Sequence, residues 1–159
     1  MDIKPWIKTE LITASPDISV QEAVNIFLEK KVGTLPVIDS ENNFLGAILI
    51  KDVMKMFVPS FFDMISDFEG FIDCTEDYGA LEIPAIESKA MLSKKITDVM
   101  DKHIPVVSEN ISVFSAVTFI THHKLQDLLI VTDGKLKGLV SMVDLGAAFL
   151  TWLQEEESS

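Results

Sequence analysis

Apolar residues recur at three- and four-residue steps through Val20, Ala23, Val24, Phe27 and Leu28, which predicts an amphipathic helix running to the stop offered by Gly33. Ser19 and Glu22 bracket its start as a capping box, the hydroxyl accepting from the third helical amide while the carboxylate reaches back. Leu35-Pro36-Val37-Ile38 then reads as a short strand, and Pro36, which cannot donate to a ladder, belongs at its start or on an edge. Asp39 to Asn43 turns the chain into a second strand, Phe44 to Leu49. A helix carrying Asp52, Val53, Met56 and Phe57 follows.

The pattern then returns. Ile18-Ser19-Val20, with Ala23 and Val24, reappears as Ile111-Ser112-Val113, with Ala116 and Val117, 93 residues on. Gly46-Ala47-Ile48-Leu49-Ile50-Lys51-Asp52 reappears as Gly138-Leu139-Val140-Ser141-Met142-Val143-Asp144, displaced by 92, so one deletion falls in the intervening turn. The second pass predicts a helix from Ser112, a strand Leu128 to Val131, an Asp133-Gly134 hairpin turn, a strand Leu136 to Val140 and a helix to about Leu153. Such self-similarity predicts two like halves packed face to face, with ligand clefts between them. The organisation is a first repeat over about 9–57, an insert over 58–95, a second repeat over about 96–153 and an acidic tail, 154–159, that frays. Within the insert Phe61, Ile65, Phe68 and Ile72 fall at helical spacing among Asp63, Asp67, Glu69 and Asp73, an amphipathic helix that packs on the body, with a dimer contact or a lid as alternatives.

Composition narrows the function. The 159 residues suit one compact domain, 48% hydrophobic, without an apolar run near the ~18 residues that cross a bilayer. The start, Met1-Asp2-Ile3-Lys4-Pro5-Trp6, lacks the pattern of a secretory signal, so the expected location is cytoplasmic. A formal charge of −12 argues against nucleic acid and anionic membrane surfaces and for a basic protein partner or a small ligand. Cys74, the only cysteine, stands among Asp73, Glu76 and Asp77, which disfavour its thiolate. His122 and His123 point about 100 degrees apart on a helix, so no metal site is expected. The methionines, Met54, Met56 and Met142 among them, read as core filler. GxSxG, GxxxxGK[ST] and GxGxxG are absent, and no enzyme is indicated.

The string Gly138 to Asp144, the Thr97-Asp98-Val99-Met100 lead-in and the duplication together resemble the paired cystathionine β-synthase (CBS) domains, the Bateman module. The resemblance implies an α/β fold: two pseudo-symmetric β-α-β-β-α repeats packed through their sheets, with a helical insert between them. It implies a regulatory module that binds an adenosine-containing metabolite and pairs into a homodimer, with no cofactor required. A strand running into a helix leaves amides that can hold a phosphate or ribose oxygen. Asp144 can accept both ribose hydroxyls and Ser141 can donate, although helix capping suits Asp144 as well. By resemblance, Ser15, Val20 and Leu139 meet the adenine. The mirror cleft uses Asp52 and Ala47 with Ser108 and Val113, and is the poorer one because Leu49 stands where Ser or Thr is usual.

Where similar modules place Arg or His to hold phosphates, this chain has Gln126 and Asp127, or Gly33 and Thr34 in the first repeat. Asp127 and Asp144 would repel a triphosphate. AMP held by amides, adenosine, or S-adenosylmethionine fits better, with Lys102, His103, His122, His123 and Lys124 as reserve phosphate contacts. The other reading is a ligand-free interaction subunit with a vestigial pocket, docking a regulated protein partner through the insert.

Overall fold

A computed structural model describes residues 1–57 and 85–157, with side chains described for 1–57 and 89–156. The aromatic helix expected within the insert, and Cys74, lie outside the described residues.

Helix α1, Val20–Lys30, starts as its capping box dictates: Ser19 Oγ accepts from the Glu22 N–H at 3.2 Å, and Glu22 Oε2 accepts from the Ser19 N–H at 2.8 Å. It stops earlier than Gly33, because Lys31 takes a left-handed conformation (φ 55°) and its N–H closes on the Phe27 carbonyl. The buried stripe is accordingly Val20, Ala23 and Phe27, while Leu28 faces solvent. Strands β1, Thr34–Ile38, and β2, Phe44–Leu49, form an antiparallel hairpin. On the outer side of β1, Ala14 donates to Pro36 O at 2.9 Å and accepts from Ile38 N at 3.1 Å. Pro36 sits mid-strand, its missing N–H turned to that edge, where no continuous ladder needs it. Helix α2 is Ile50–Phe57, and α3, Ala85–Leu92, packs against α1.

The second repeat retraces this. Strand β3, Val106–Val107, lies parallel to β4, Asp127–Thr132, which pairs antiparallel with β5, Lys135–Ser141. Helix α4 is Val113–His122 and α5 is Met142–Glu157. Asp133 and Gly134 both have positive φ (52° and 73°), the mirror-image turn that an Asp-Gly hairpin favours. The acidic end does not fray where expected. Residues 154–157 continue α5, since Gln and Glu are good helix formers and nothing there breaks the helix.

Each half is completed by the segment that precedes the other. Ile3 is wholly buried with Val113, Ile120, Leu128, Val140 and Leu145 of the second repeat. Ile96, 93 residues later, is wholly buried with Val20, Leu35, Val37 and Ile48 of the first. The backbone follows suit: Lys8 exchanges both hydrogen bonds with Leu139 (2.9 and 3.0 Å), and Asp101 exchanges both with Ala47 (2.8 and 3.0 Å). This crossing requires glycine in each repeat. A Cβ on Gly138 would lie 2.2 Å from Ile7 Cγ2 and 2.6 Å from Lys8 O, and one on Gly46 would lie 2.6 Å from Asp101 O. Between the sheets Ala47, Ile104, Leu129 and Leu136, joined by Leu11, Leu49 and Leu139, form a third apolar cluster that seals the halves together. The hairpin tips are tied by Asn42 Nδ2 to Leu136 O (2.9 Å) and Lys135 Nζ to Glu41 O (2.7 Å). Among the described residues no helix is long and apolar enough to cross a membrane.

Candidate functional site

The larger cleft between the halves, about 300 Å³, is walled by Lys8, Glu10, Leu11 and Ile12 of the lead-in, by Lys31, Val32, Gly33, Thr34 and Pro36 of the first repeat, and by Asp127 and Leu139 of the second. Its lining combines apolar residues, Leu11, Ile12, Val32, Pro36 and Leu139, with the charged Lys8, Glu10, Lys31 and Asp127.

Beside it, Ser141 ends β5 and caps α5. Its N–H donates to Asp144 Oδ2 (2.9 Å), its hydroxyl donates to the same oxygen (2.6 Å), and its Oγ accepts from the Asp144 N–H (3.2 Å). Lys8, reaching over from the cleft wall, sets its ammonium 2.8 Å from that oxygen. Asp144 therefore caps and binds a cation at once, with every one of these contacts on Oδ2. Oδ1 receives none of them. Burial pushes the Asp144 carboxyl up, but the Lys8 ammonium together with the Ser141 hydroxyl and N–H holds it below the usual carboxylate range. A folded carboxyl with a lowered pKa adds stability that is present above its unfolded pKa and is lost as pH falls through the folded one. The stability gap between wild type and Asp144→Asn, read by urea unfolding, is thus expected to be constant near neutrality and to close below about pH 4. A gap independent of pH would contradict this ion pairing.

The structure redistributes the residues expected in the two clefts. Leu139 lines the larger one, and Ser141 and Asp144 stand at its side through Lys8. Gly33 and Thr34, expected in the mirror cleft, line the larger one, because the halves pack so that the start of β1 faces the end of β5. Gln126, expected in the larger cleft, lines the smaller; Asp127 and Thr34 line both, joined by a 2.7 Å bond from Thr34 Oγ1 to Asp127 Oδ2. Val20, Val113 and Ala47 are corrected: all three are wholly buried in packed cores and present no surface to a ligand. Ser15 and Ser108 lie exposed on the turns entering α1 and α4, outside the walls of either cleft.

The smaller cleft holds about 70 Å³ between Thr34, Leu49, Lys51, Ile104 and residues 124–127. Position 33 is glycine where its counterpart 126 carries a side chain, and Gln126 Oε1 comes within 3.0 Å of where a Cβ on Gly33 would be. Glutamine thus occupies space on one side that glycine leaves open on the other. Asp52 turns instead to a groove with Met56, Met91, Lys94 and Val99. Its repeat-mates offer neither hydroxyl nor ammonium, since Leu49 stands for Ser141 and Asp101 for Lys8.

Lys8 and Lys31 were not among the expected site residues. Lys31 could have been found from Lys124, its counterpart 93 residues on, which likewise has positive φ (52°). Two of the amides expected to be open at the start of α5 are engaged: Met142 N–H donates to Gln126 O at 3.3 Å and Asp144 N–H to Ser141 Oγ. Among the described residues no three His, Cys, Asp or Glu side chains gather as metal ligands.

The family model described as the CBS domain matches residues 2–58 and 96–150. The chain is 27% identical over 137 residues to inosine-5'-monophosphate dehydrogenase of Methanocaldococcus jannaschii, a match covering 86% of this chain but 21% of that enzyme. Its fold is similar to that in the crystal structure of CBSX2 in complex with AMP (TM-score 0.68, 23% identity, 94% of this chain and 96% of that one). It is similar also to the CBS domain pair of protein MJ0100 in complex with 5'-methylthioadenosine and S-adenosyl-L-methionine (TM-score 0.65, 19% identity, 94% and 95%).

Proposed function

The chain belongs to the CBS domain family, and from that membership we propose that it is a regulatory module sensing an adenosine-containing metabolite in the cleft beside Asp144. The observation that carries this reading is the arrangement at Ser141, Asp144 and Lys8: a carboxylate held ionised, one oxygen saturated and the other open, at the edge of an apolar-walled cleft of about 300 Å³. Relatives of the same fold are complexed with AMP, 5'-methylthioadenosine and S-adenosylmethionine, all adenosines. The apolar wall takes the adenine and Asp144 Oδ1 the ribose. No nucleophile or base is needed for this, and the dehydrogenase relative is matched over about a fifth of its length, so the proposal is of sensing and not catalysis. Calorimetry with adenosine, AMP and S-adenosylmethionine tests it. At least one should bind, with Asp144→Ala weakening it about tenfold or more through loss of the charge-assisted bond. Binding of none by the wild-type protein overturns the reading.

A sensor must pass its state on, and the outer helices supply a surface for that. Phe114 meets the rings of Phe149 and Trp152 edge-on, each at a centroid distance of 5.6 Å, while Met142, Val143, Leu150 and Leu153 of α5 are exposed. A second copy of the chain is the partner this face suits, as an apolar stripe shared by two helices meets its own image across a twofold axis. Sedimentation should show a dimer that Leu150→Glu converts to monomer; a monomeric wild type would exclude it.

A further inference from the structure

Resting on the adenosine reading above, we propose that this cleft selects adenosines whose 5' group is uncharged or cationic, and rejects those with a 5' phosphate. Four observations converge. Two of the N–H groups at the start of α5, where a phosphate would be cradled, those of Met142 and Asp144, are already bonded to Gln126 O and Ser141 Oγ. The Thr34 hydroxyl spends its proton on Asp127 Oδ2 (2.7 Å), so it offers an anion nothing but lone pairs. The Lys8 ammonium is held by Asp144. Glu10 and Asp127 line the same walls, leaving Lys31 as the cleft's cation that, among the described residues, has no acidic partner.

Counted together, Lys8 and Lys31 face Glu10, Asp127 and Asp144, one negative charge in excess, within a chain whose formal charge is −12. A phosphate entering this cleft meets that excess of negative charge with Lys31 as the one lining cation left to offset it among the described residues. A sulfonium is attracted to these carboxylates by charge and the α-ammonium of its amino acid portion can donate to them, while a neutral 5' thioether meets apolar lining able to cover it. The selection resides in residues outside the ribose contact, and is therefore separable from it.

The test is a set of titrations of the full chain with S-adenosylmethionine, adenosine and AMP at equal ionic strength, repeated on Asp127→Asn and Glu10→Gln. Asparagine at 127 keeps an acceptor for Thr34, and Glu10 is exposed, so both variants should fold. The wild type is expected to bind S-adenosylmethionine or adenosine about tenfold or more tightly than AMP, and the two variants to bring AMP several-fold closer. AMP binding as tightly as adenosine, or a preference unchanged in both variants, overturns the selection while leaving the sensing role intact. Binding of none of the three ends both.

Discussion

Alanine at position 138 should cost about 3 kcal/mol, the upper end for overpacking, even though a single methyl group is added. The new Cβ would lie 2.6 Å from the Lys8 carbonyl oxygen, a backbone atom already fixed by its bonds to Leu139, as well as 2.2 Å from Ile7 Cγ2. The side chain could rotate away, but the backbone cannot without breaking the bridge. Gly146→Ala is the natural control: that glycine lies inside α5 with nothing within 4 Å of its Cβ position, so the same chemical change should stabilise by about 1 kcal/mol through helix propensity. Urea midpoints of the two variants should therefore move in opposite directions. If Gly138→Ala unfolds within about 0.5 kcal/mol of wild type, the tight crossing of the lead-in is wrong.

Ile3→Ala is the second large effect, about 3 to 4 kcal/mol, the range for truncating a fully buried isoleucine that leaves a cavity. Three residues into a chain, such a loss is normally small. Here Ile3 is wholly buried, as deep as Leu128 or Val140, because the chain before the first repeat enters the core of the second. Amide exchange gives the sharper readout: protection should fall first in β4 and β5, far along the sequence, and less in β1 and β2. Equal loss across both hairpins, or none, would show that Ile3 does not belong to that core.

The elements themselves were legible in the sequence because each had a local signal. The Ser19–Glu22 capping box, the Asp133-Gly134 turn and the apolar stripes of α1 and α4 act over a few residues, and the structure holds each of them. The duplication also showed the two-fold plan and the family. Contacts made across the pseudo-axis were not legible in the same way. Nothing local to Ile3 or Lys8 says that they join residues more than a hundred positions away, although Thr97 to Met100, the equivalent lead-in of the second repeat, carries the same information in recognisable form.

The cleft residues divide along the same line. Ser141, Asp144 and Leu139 follow from a motif and stand at or beside the cleft. The family resemblance puts Val20 and Val113 at the ligand, but each opens a helix whose first apolar residue is taken into a core. Gly33 and Gln126 changed clefts because their assignment depends on which way the two sheets face, a tertiary fact that no periodicity encodes.

The crossing of the lead-ins also gives the molecule a mechanical character. The segment from Ile3 to Lys8 is anchored in the far half, through the core at one end and through Leu139 and the Asp144 carboxylate at the other. A displacement of that segment and a ligand on Asp144 Oδ1 would therefore act on the same ion pair, that of Lys8 with Asp144.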